Sequence, residues 1–433
     1  MPIPGPPPSA AGDNLDDIAA AGGLHAFQLA LHRDYGDVAE FRLPGSRLVS
    51  VADPVLLERV ARVNKRPEKL FEFLSPLFET GNLQVMPAEE HTPWRRVVLS
   101  ALAGRRSHEA HYDAFARLAT DLADRWAAAA PGPVALQKEL SELSLRMICQ
   151  YALGMDMDSG DLAGRVVRAF EEVLSEYLGK LYGLPYQEGR AEEGLAFLRS
   201  AVDTVLSERR PSDRPDLITL LAEAGEPPAR VRDSVLSMML AAHHTTGVAI
   251  SWTLYLLASH PEVVARIRAE LAGVPDVPGY ADLAALRELD LALKESMRRY
   301  PPGPYGARET TEPLELAGHE IPAGTTIFVP IWAIHMNPRI WPDPSRFDPS
   351  RFDPSQVAGR PRLAYLPFGF GPRSCEGASL ATLEAQLVLA VLLKRFTFAP
   401  VEDHPVVPVE RFVLWAEHDI RMTISPSAGT RPR

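Results

Sequence analysis

The chain has 433 residues, of which 46% are hydrophobic, and a formal net charge of −11 at pH 7. This acidic balance argues against general nucleic-acid binding, and the length suits one large domain or two ordinary ones. With only two cysteines the chain has no disulfide framework, so we expect a cytoplasmic protein. No apolar run is long enough to span a membrane, and the proline-rich N-terminus has no signal-peptide pattern, so we expect no membrane anchor.

The first part of the chain, about residues 35–52, alternates apolar and polar side chains as β-strands do. Helical periodicity then dominates from about residue 80 to 300 and again over about 375–398. Strand-like segments return over about 305–335 and 405–425. The predicted helices are Leu24–His32, Pro54–Arg62, Tyr112–Ala129, Leu136–Leu153, Leu162–Leu178, Glu192–Ser207, Asp216–Glu223, Pro228–Ser259 and Leu289–Tyr300. The predicted strands are Val38–Leu43, Arg47–Val51, Leu314–Leu316, Thr325–Pro330 and Ile420–Ile424.

This order of elements predicts a mainly α protein with a minor β lobe. The strands of that lobe come from both ends of the chain, so the chain must wrap around its own helical part. We therefore expect a single domain over residues 1–433.

Four groups of polar residues stand out along the chain. In the first, His91 and Arg95 are four residues apart and share one face of a helix. Together they could clamp an anion such as a carboxylate. The alternative is an ordinary solvated first helical turn.

The second group, Ala241–Thr246, lies in the middle of the longest predicted helix. A threonine there can bond a carbonyl one turn back and open a gap for a small ligand. Adjacent histidines point in different directions, so a zinc site is not expected. The alternative is a polar face turned to solvent.

The third group is a carboxylate and a guanidinium, Glu295 and Arg298, which are three residues apart and can pair on a helix. A further arginine, Arg351, lies downstream in a rigid, proline-flanked turn. Such a pair can equally belong to a solvated surface.

The fourth group, Phe368–Gly377, begins as a tight turn, because two glycines and a proline do not fit inside a regular element. Helix formers follow it, so Cys375 lies where a loop becomes a helix. The helix start is expected to lower the pKa of this thiol. A thiolate there could be a nucleophile, a redox centre or a metal ligand, and a buried structural cysteine is the alternative.

Taken together and in this order, the four groups resemble the motifs of the cytochrome P-450 family of haem-thiolate monooxygenases, in its soluble bacterial form. The pattern Phe-x-x-Gly-x-Arg-x-Cys-x-Gly is complete, and the resemblance covers essentially the whole chain from about Pro4. It implies a triangular fold with haem b between the long central helix and the cysteine-loop helix. It also implies that Cys375 is the axial iron ligand, donating electron density that favours O–O cleavage.

The resemblance further assigns roles to individual residues. The implied cofactor-binding residues are His91, Arg95, Ala241, Ala242, Arg308, Phe368, Gly369, Arg373, Cys375 and Gly377. The implied structural triad behind the haem consists of Glu295, Arg298 and Arg351. The implied catalytic residues are Thr245 and His244. His244 replaces the acid usual at its position, and Ala242 replaces a glycine, so His244 is expected to relay protons near neutral pH.

The implied substrate pocket is rich in apolar and aromatic side chains. Its expected residues are Phe71, Phe73, Leu74, Leu77, Phe78, Met238, Ala241, Tyr305, Leu414 and Trp415. This chemistry favours a sizeable apolar natural product, such as a terpenoid, polyketide or steroid-like molecule.

The expected activity is insertion of one atom of O2 into such a substrate by hydroxylation, epoxidation or oxidative coupling. Electrons would come to a monomeric enzyme from a ferredoxin or flavodoxin with its reductase. The expected basic docking patch is Arg96, Arg105, Arg106, Arg373, Lys394 and Arg395, although these could be scattered solvated side chains. The alternatives are a haem-thiolate enzyme that needs no external electrons (peroxide-driven, or an isomerase or dehydratase) and a non-catalytic haem-binding relative.

Overall fold

The computed structural model describes residues 2–152, 161–182, 186–208 and 216–427. Most of these residues are helical. The helices are α1 Leu15–Ala20, α2 Leu24–Tyr35, α3 Pro54–Leu57, α4 Glu68–Phe71, α5 Ala88–Leu102, α6 Arg105–Ala129, α7 Leu136–Ala152, α8 Leu162–Tyr182, α9 Arg190–Glu208, α10 Leu217–Glu223, α11 Pro228–Ala258, α12 Pro261–Leu271, α13 Arg287–Arg299, α14 Ile331–His335, α15 Pro354–Val357 and α16 Ala378–Arg395. No helix in these described ranges is long and apolar enough to cross a membrane.

The strands form small sheets at the edge of the helical part. They are β1 Val38–Leu43, β2 Ser46–Val51, β3 Gly132–Ala135, β4 Gly306–Glu309, β5 Leu314–Leu316, β6 His319–Ile321, β7 Thr326–Val329, β8 Phe396–Pro400, β9 Pro408–Arg411, β10 Val413–Ala416 and β11 Arg421–Pro426. The largest sheet has the order β1-β2-β7-β4, and β3-β11-β8 form a second. In the largest sheet β7 runs parallel to β2, with Ile327 opposite Val49. Early and late parts of the chain therefore share one sheet, as the sequence predicted.

The types of the predicted elements are confirmed, and the errors concern boundaries, short strands and helices that were not predicted, of which α12 is the longest. Helix α6 begins at Arg105, seven residues before its predicted start, and the helix predicted to reach Arg62 becomes a 3-10 turn after Leu57. The predicted end of α7, Leu153, lies outside the described residues. Strands β3, β4, β6, β8, β9 and β10 were not predicted individually, because strands of three to five residues are too short for a clear alternation.

The long helix α11 lies inside the main hydrophobic core, where most of its residues are buried. It crosses α7 at very close range at Gly247. A Cβ atom at this position would lie 2.6 Å from the backbone nitrogen of Ser141 and 2.7 Å from the carbonyl carbon of Leu140. Only glycine therefore allows the two helices to approach this closely.

Candidate active site

Two glycines determine the backbone conformation of the cysteine loop, Phe368–Gly377. Gly369 and Gly371 have φ angles of 67° and 68°, in the left-handed region that favours glycine. A Cβ atom at Gly371 would also overlap the carbonyl oxygen of Ala61. The loop closes through the backbone N–H of Cys375, which donates to the carbonyl oxygen of Phe368 at 2.9 Å. Helix α16 begins three residues later, so Cys375 does lie just before a helix start.

Cys375 has accessible surface because it borders a cavity, while protein atoms surround its thiol. Burial raises the pKa of this thiol to about 11, and the Glu376 carboxylate adds to the rise. The Gly377 backbone N–H, which bonds the sulfur, and the cations Arg95 and Arg66 act in the opposite direction. The prediction of a lowered pKa is therefore wrong for the protein alone, because desolvation outweighs the helix start. A metal ion bound to sulfur deprotonates a thiol outright.

The cavity lies between the cysteine loop, α16, α5, α7 and the middle of α11. Its lining consists of Arg66, Leu83, Gln84, His91, Trp94, Leu102, Ile148, Ser237, Met238, Ala241, Ala242, Thr245, Thr246, Arg373, Cys375, Glu376, Gly377, Leu380, Ala381 and Glu384. Cys375 and the threonines of α11 thus border the same largely apolar space.

Buried and half-buried cations gather beside this cavity. Burial lowers the pKa of His91 to about 4. The positive charges of Arg373, Arg95 and Arg66 lower it further. Burial likewise lowers the pKa of Arg373 to about 10 and of Arg308 to about 9, and Arg66 lowers both further by repulsion. Glu376 is the carboxylate whose negative charge raises the pKa of both Arg66 and Arg373, against the effect of burial.

This cluster is suited to anions from outside the chain. Three of its buried nitrogen atoms, Arg66 Nε, Arg308 Nε and His91 Nδ1, have no hydrogen-bond partner in the described part of the protein. Unpaired buried polar atoms of this kind are rare unless a ligand satisfies them. The carboxylates of haem propionates fit this need in charge and in hydrogen bonding.

Not every predicted propionate ligand reaches the cavity. His91 and Arg373 line it, whereas Arg95 and Arg308 lie outside the lining. Arg95 donates to the Ser374 carbonyl at 2.7 Å and pairs with Glu376. Arg308 donates to the carbonyl oxygens of Ala307 and Phe370 at 2.8 and 2.7 Å. Both arginines therefore hold the loop backbone.

Sequence reasoning missed Arg66, which does line the cavity. Its guanidinium bonds the Gln84 side chain, and it donates to the Arg373 carbonyl at 3.2 Å. Of the other predicted cofactor contacts, Ala241, Ala242 and Gly377 line the cavity, whereas Phe368 and Gly369 do not. Arg66 belongs to none of the sequence motifs described above. It is recognised as a cavity residue only because the fold brings it next to Arg373.

The predicted triad is assembled and buried. Arg298 pairs with Glu295 through two parallel bonds of 2.7 and 2.8 Å, and both side chains have no exposed surface. The Nε atom of Arg351 lies 3.4 Å from Oε1 of Glu295. Arg298 also donates to the carbonyl oxygens of His335 and Pro344, each at 2.8 Å. The alternative of a solvated surface pair is thereby excluded.

On α11, Thr245 and His244 point in different directions. The Thr245 hydroxyl donates to the Ala241 carbonyl at 2.8 Å, one turn back as expected, within an uninterrupted helix. His244 is buried outside the cavity lining, with Nδ1 3.3 Å from the Ser141 hydroxyl and its ring 4.7 Å from that of Trp415. Burial, followed by the neighbouring His243, holds the pKa of His244 well below its usual range. In this position His244 does not line the cavity, and its predicted proton relay stays a prediction that the geometry does not support.

The predicted substrate residues are only partly in the cavity wall. Met238 and Ala241 line the cavity. The remaining ones do not: Phe71, Phe73, Leu74, Leu77, Phe78, Tyr305, Leu414 and Trp415. Leu74, Leu77 and Leu414 have at most 1% exposed surface and belong to the protein core. Leu83, Trp94 and Leu102 line the cavity instead.

The docking patch is smaller than predicted. Arg373 is buried in the cavity wall. Lys394 donates to the carbonyl oxygens of Leu271, Val274 and Pro275. Arg395 pairs with Asp124 at 2.5 Å. The arginines Arg96, Arg105 and Arg106 remain exposed.

Comparison with known proteins agrees with this geometry. Residues 3–424 match the family model of cytochrome P450. A putative cytochrome P450 132 from Mycobacterium tuberculosis is 32% identical over 89% of each chain. The cyclooctat-9-en-7-ol 5-monooxygenase of Streptomyces melanosporofaciens is 30% identical over 85% of this chain and 83% of its own. The pentalenene oxygenase of Streptomyces avermitilis is 29% identical over 90% of each.

The cavity, the thiol and these matches define a haem-thiolate protein. The chain belongs to the cytochrome P450 family and is a P450 monooxygenase, which binds haem through a cysteine thiolate.

Proposed function

We propose that Cys375 is the thiolate that holds the iron of haem b, and that Arg66, His91 and Arg373 bind the propionates. The observation that carries this proposal is one cavity lined both by the thiol and by these groups, with unpaired nitrogens on Arg66 and His91. When bound, the haem supplies activation of O2 at its iron. The Gly377 N–H bonds the sulfur and tunes its electron donation.

The helix α11 forms the wall opposite the cysteine loop and excludes bulk water with apolar side chains. Its contribution to the reaction is the Thr245 hydroxyl, which is fixed to the Ala241 carbonyl and keeps its oxygen as an acceptor. This hydroxyl orients and passes on protons needed when O2 is reduced. Its presence in the cavity wall favours the monooxygenase over the electron-independent alternatives.

The substrate is a largely apolar, terpene-like molecule, which is hydroxylated or otherwise oxidised. Two relatives, named for cyclooctat-9-en-7-ol and pentalenene, support this class. The apolar side chains Leu83, Trp94 and Met238 in the lining support it as well.

Electrons come from a small acidic ferredoxin through its reductase. Arg96 and Arg106 support this because they are exposed and form no ion pair within the described ranges, and Arg105 beside them bonds only Glu109. An acidic protein with a local basic area attracts an acidic partner to that area.

The thiolate assignment is tested by the spectrum of the reduced protein with carbon monoxide, because a red-shifted Soret band requires sulfur ligation. We expect this band in the wild type and its loss in Cys375→Ser. The chain offers a matched control in Cys149→Ala, because Cys149 is the other cysteine and is buried in the core. Retention of the band in Cys375→Ser would refute the assignment.

The reaction is tested with pentalenene as probe, NADPH, a surrogate ferredoxin with its reductase, and isotopically labelled O2. One labelled oxygen atom in the product is the expected result. Product formation that needs added peroxide and no electron donor would support the electron-independent alternative instead.

A further inference from the structure

One buried carboxylate close to the cavity has no role in the function described so far. Asp233 lies on α11, about three turns before Thr245, and its residue is 2% exposed. Ser237, one turn further along the same face of the helix, lines the cavity. A buried charge has to be paired or hydrogen-bonded, so the partners of Asp233 indicate what it does.

The hydrogen bonds of the Asp233 carboxylate all come from two consecutive residues within the described part of the chain. The backbone N–H of Glu79 donates to its two oxygens at 3.0 and 3.1 Å. The backbone N–H of Thr80 donates to Oδ2 at 2.7 Å, and the Thr80 hydroxyl donates to the same oxygen at 2.5 Å. Hydrogen bonds to an ionised acceptor are stronger than those between neutral groups. Asp233 therefore fixes Glu79 and Thr80 against α11.

The fixed residues belong to a segment, residues 78–85, that forms part of the cavity wall. Leu83 and Gln84 of this segment line the cavity. Asn82 caps the short 3-10 turn that carries them, because its side chain accepts from the backbone N–H of Gln84 at 3.0 Å. The residue between the fixed stretch and this capped turn is Gly81, whose φ of 102° lies in the region that favours glycine. The position of the turn thus depends on how the residues before this glycine are held.

The next residue of α11 holds a second part of the cavity wall. The indole N–H of Trp94 donates to the hydroxyl of Ser234 at 3.0 Å, and Trp94 lines the cavity. Ser234 has no exposed surface, and its hydroxyl donates in turn to the carbonyl oxygen of Arg230 at 2.7 Å. Met238, one turn after Ser234, lines the cavity itself. This part of α11 therefore fixes side chains of the wall as well as contributing to it.

The ion pairs beside Asp233 are exposed. Arg232 lies 3.7 Å from Glu79 and 2.9 Å from Asp203 of α9, and these three side chains are between 33% and 58% exposed. Exposed ion pairs contribute little to stability, because water and salt screen them. The buried carboxylate of Asp233 is thus better suited than these pairs to hold residues 78–85 in place.

We infer that Asp233 is a positioning residue that determines how closely the cavity fits a bulky apolar ligand. Asp233 does not line the cavity, so it acts through Thr80 on the placement of Leu83 and Gln84. The inference rests on the proposed function, because it takes this cavity as the site of haem and substrate. Without the carboxylate the wall loosens, and a ligand that reaches the wall loses affinity. A small ligand of the iron is not affected.

Binding of two imidazoles to the ferric holoenzyme tests the inference without knowledge of the natural substrate. Both probes shift the Soret band when their nitrogen binds the iron, but only 4-phenylimidazole carries an apolar ring that can reach the wall. We expect Asp233→Asn to weaken 4-phenylimidazole about fivefold and imidazole by less than about twofold, because the amide NH2 faces donors and cannot accept their hydrogen bonds. The matched control is Asp203→Asn at the exposed site on α9, which should change neither affinity.

Hydrogen exchange of the holoenzyme measures the contact itself. The amide hydrogens of Glu79 and Thr80 are bonded to a buried carboxylate, so they should exchange slowly in the wild type and about tenfold faster in Asp233→Asn. The red-shifted carbon monoxide band should be the same in both proteins. Rapid exchange of these two amides in the wild type would overturn the inference.

Two substitutions of Thr80 provide a second and milder test. Thr80→Val removes the hydroxyl bond to Asp233 but keeps the backbone bond, so it should weaken 4-phenylimidazole less than Asp233→Asn does. Thr80→Ser keeps the hydroxyl and should bind both imidazoles as the wild type does. A merely structural effect of changing Thr80 would not distinguish the two imidazoles.

The outcomes separate this inference from the proposed function. If the wild type lacks the red-shifted carbon monoxide band, the proposed function itself fails. If Asp233→Asn keeps that band and both affinities, or weakens both imidazoles equally, only the positioning inference fails. If Asp233→Asn does not incorporate haem, the Thr80 variants decide. A selective loss of 4-phenylimidazole affinity in Thr80→Val that is absent in Thr80→Ser supports the inference, and any other pattern overturns it.

Discussion

Two groups of buried arginines differ in whether the chain supplies their counter-charge. Arg298 and Arg351 have Glu295 as partner, and Arg298 also bonds two backbone carbonyls. Arg373 is buried and Arg66 half-buried, and they share one carboxylate, Glu376, with Arg95. The Arg298–Glu295 pair is therefore complete, although Arg351 Nε forms no hydrogen bond within the described residues. In the second group three arginines share one carboxylate, Arg66 Nε has no hydrogen-bond partner among those residues, and the arginines repel one another.

This difference separates scaffold from binding site. A buried charge is tolerated only when it is paired, so a complete pair stabilises the fold whatever is bound. An incomplete group of cations costs free energy until an anion enters from outside. The burial of arginines alone does not distinguish the two roles, whereas the count of their partners does.

The largest effect is expected from breaking the ion pair between Glu295 and Arg298. Glu295→Gln keeps the shape of the side chain but leaves Arg298 buried without a counter-charge, so the free energy of unfolding should fall by about 3–5 kcal/mol. Chemical denaturation measures this loss, and haem incorporation should fail with it. Glu402→Gln, at an exposed turn, is the control. Purification of Glu295→Gln with full haem would contradict the structural role.

An effect on binding without an effect on folding is expected for the incomplete group. Arg66→Met removes one cation that repels Arg308 and Arg373, so the haem-free protein should not become less stable. Its affinity for haem should fall about tenfold, because a charge-assisted hydrogen bond is lost. Haem titration and denaturation of the haem-free protein measure the two quantities. The control is Arg59→Met at an exposed position, which should change neither the haem affinity nor the stability. A large loss of stability in Arg66→Met would show that the second group of arginines also supports the fold.

The smallest effect is expected for arginines that are neither buried nor paired. The double substitution Arg96→Glu and Arg106→Glu should weaken binding of an acidic ferredoxin roughly fivefold, because exposed charges are screened by water and salt. The weakening should shrink at high ionic strength, which titrations at two salt concentrations can show. Arg33→Glu, at an exposed site paired with Asp34, serves as the control. Equal weakening in that control would place the docking surface elsewhere.

Much of the fold, the cysteine loop and the Glu295–Arg298 pair could be predicted from the spacing of residues that are close in the sequence. The glycines around Cys375 dictate a turn wherever it lies in the fold, and three residues between Glu295 and Arg298 place them on one helix face. These predictions needed no knowledge of distant contacts. The element types were predictable for the same reason, because long periodic segments carry their own signal.

The remaining features depend on contacts between distant parts of the chain. Arg66 donates to the carbonyl oxygen of Arg373, which is 307 residues later in the sequence, and no local sequence pattern predicts that contact. His244 and Thr245 are adjacent, but each step along a helix rotates the side chain by about 100°, so only one of them faces the cavity. Leu77 and Leu414 are apolar in the core just as they would be in a substrate pocket, so residue type alone could not place them.

The close crossing at Gly247 has a consequence for motion. Two helices whose backbones touch cannot slide past each other or part without losing that contact, so we expect α7 and α11 to move together near Gly247. The Thr245 hydroxyl lies two residues from this crossing, so we expect it to move less than the other cavity walls. Entry of a bulky substrate has to be accommodated by displacement of the other cavity walls, and the timing of turnover then depends on those walls.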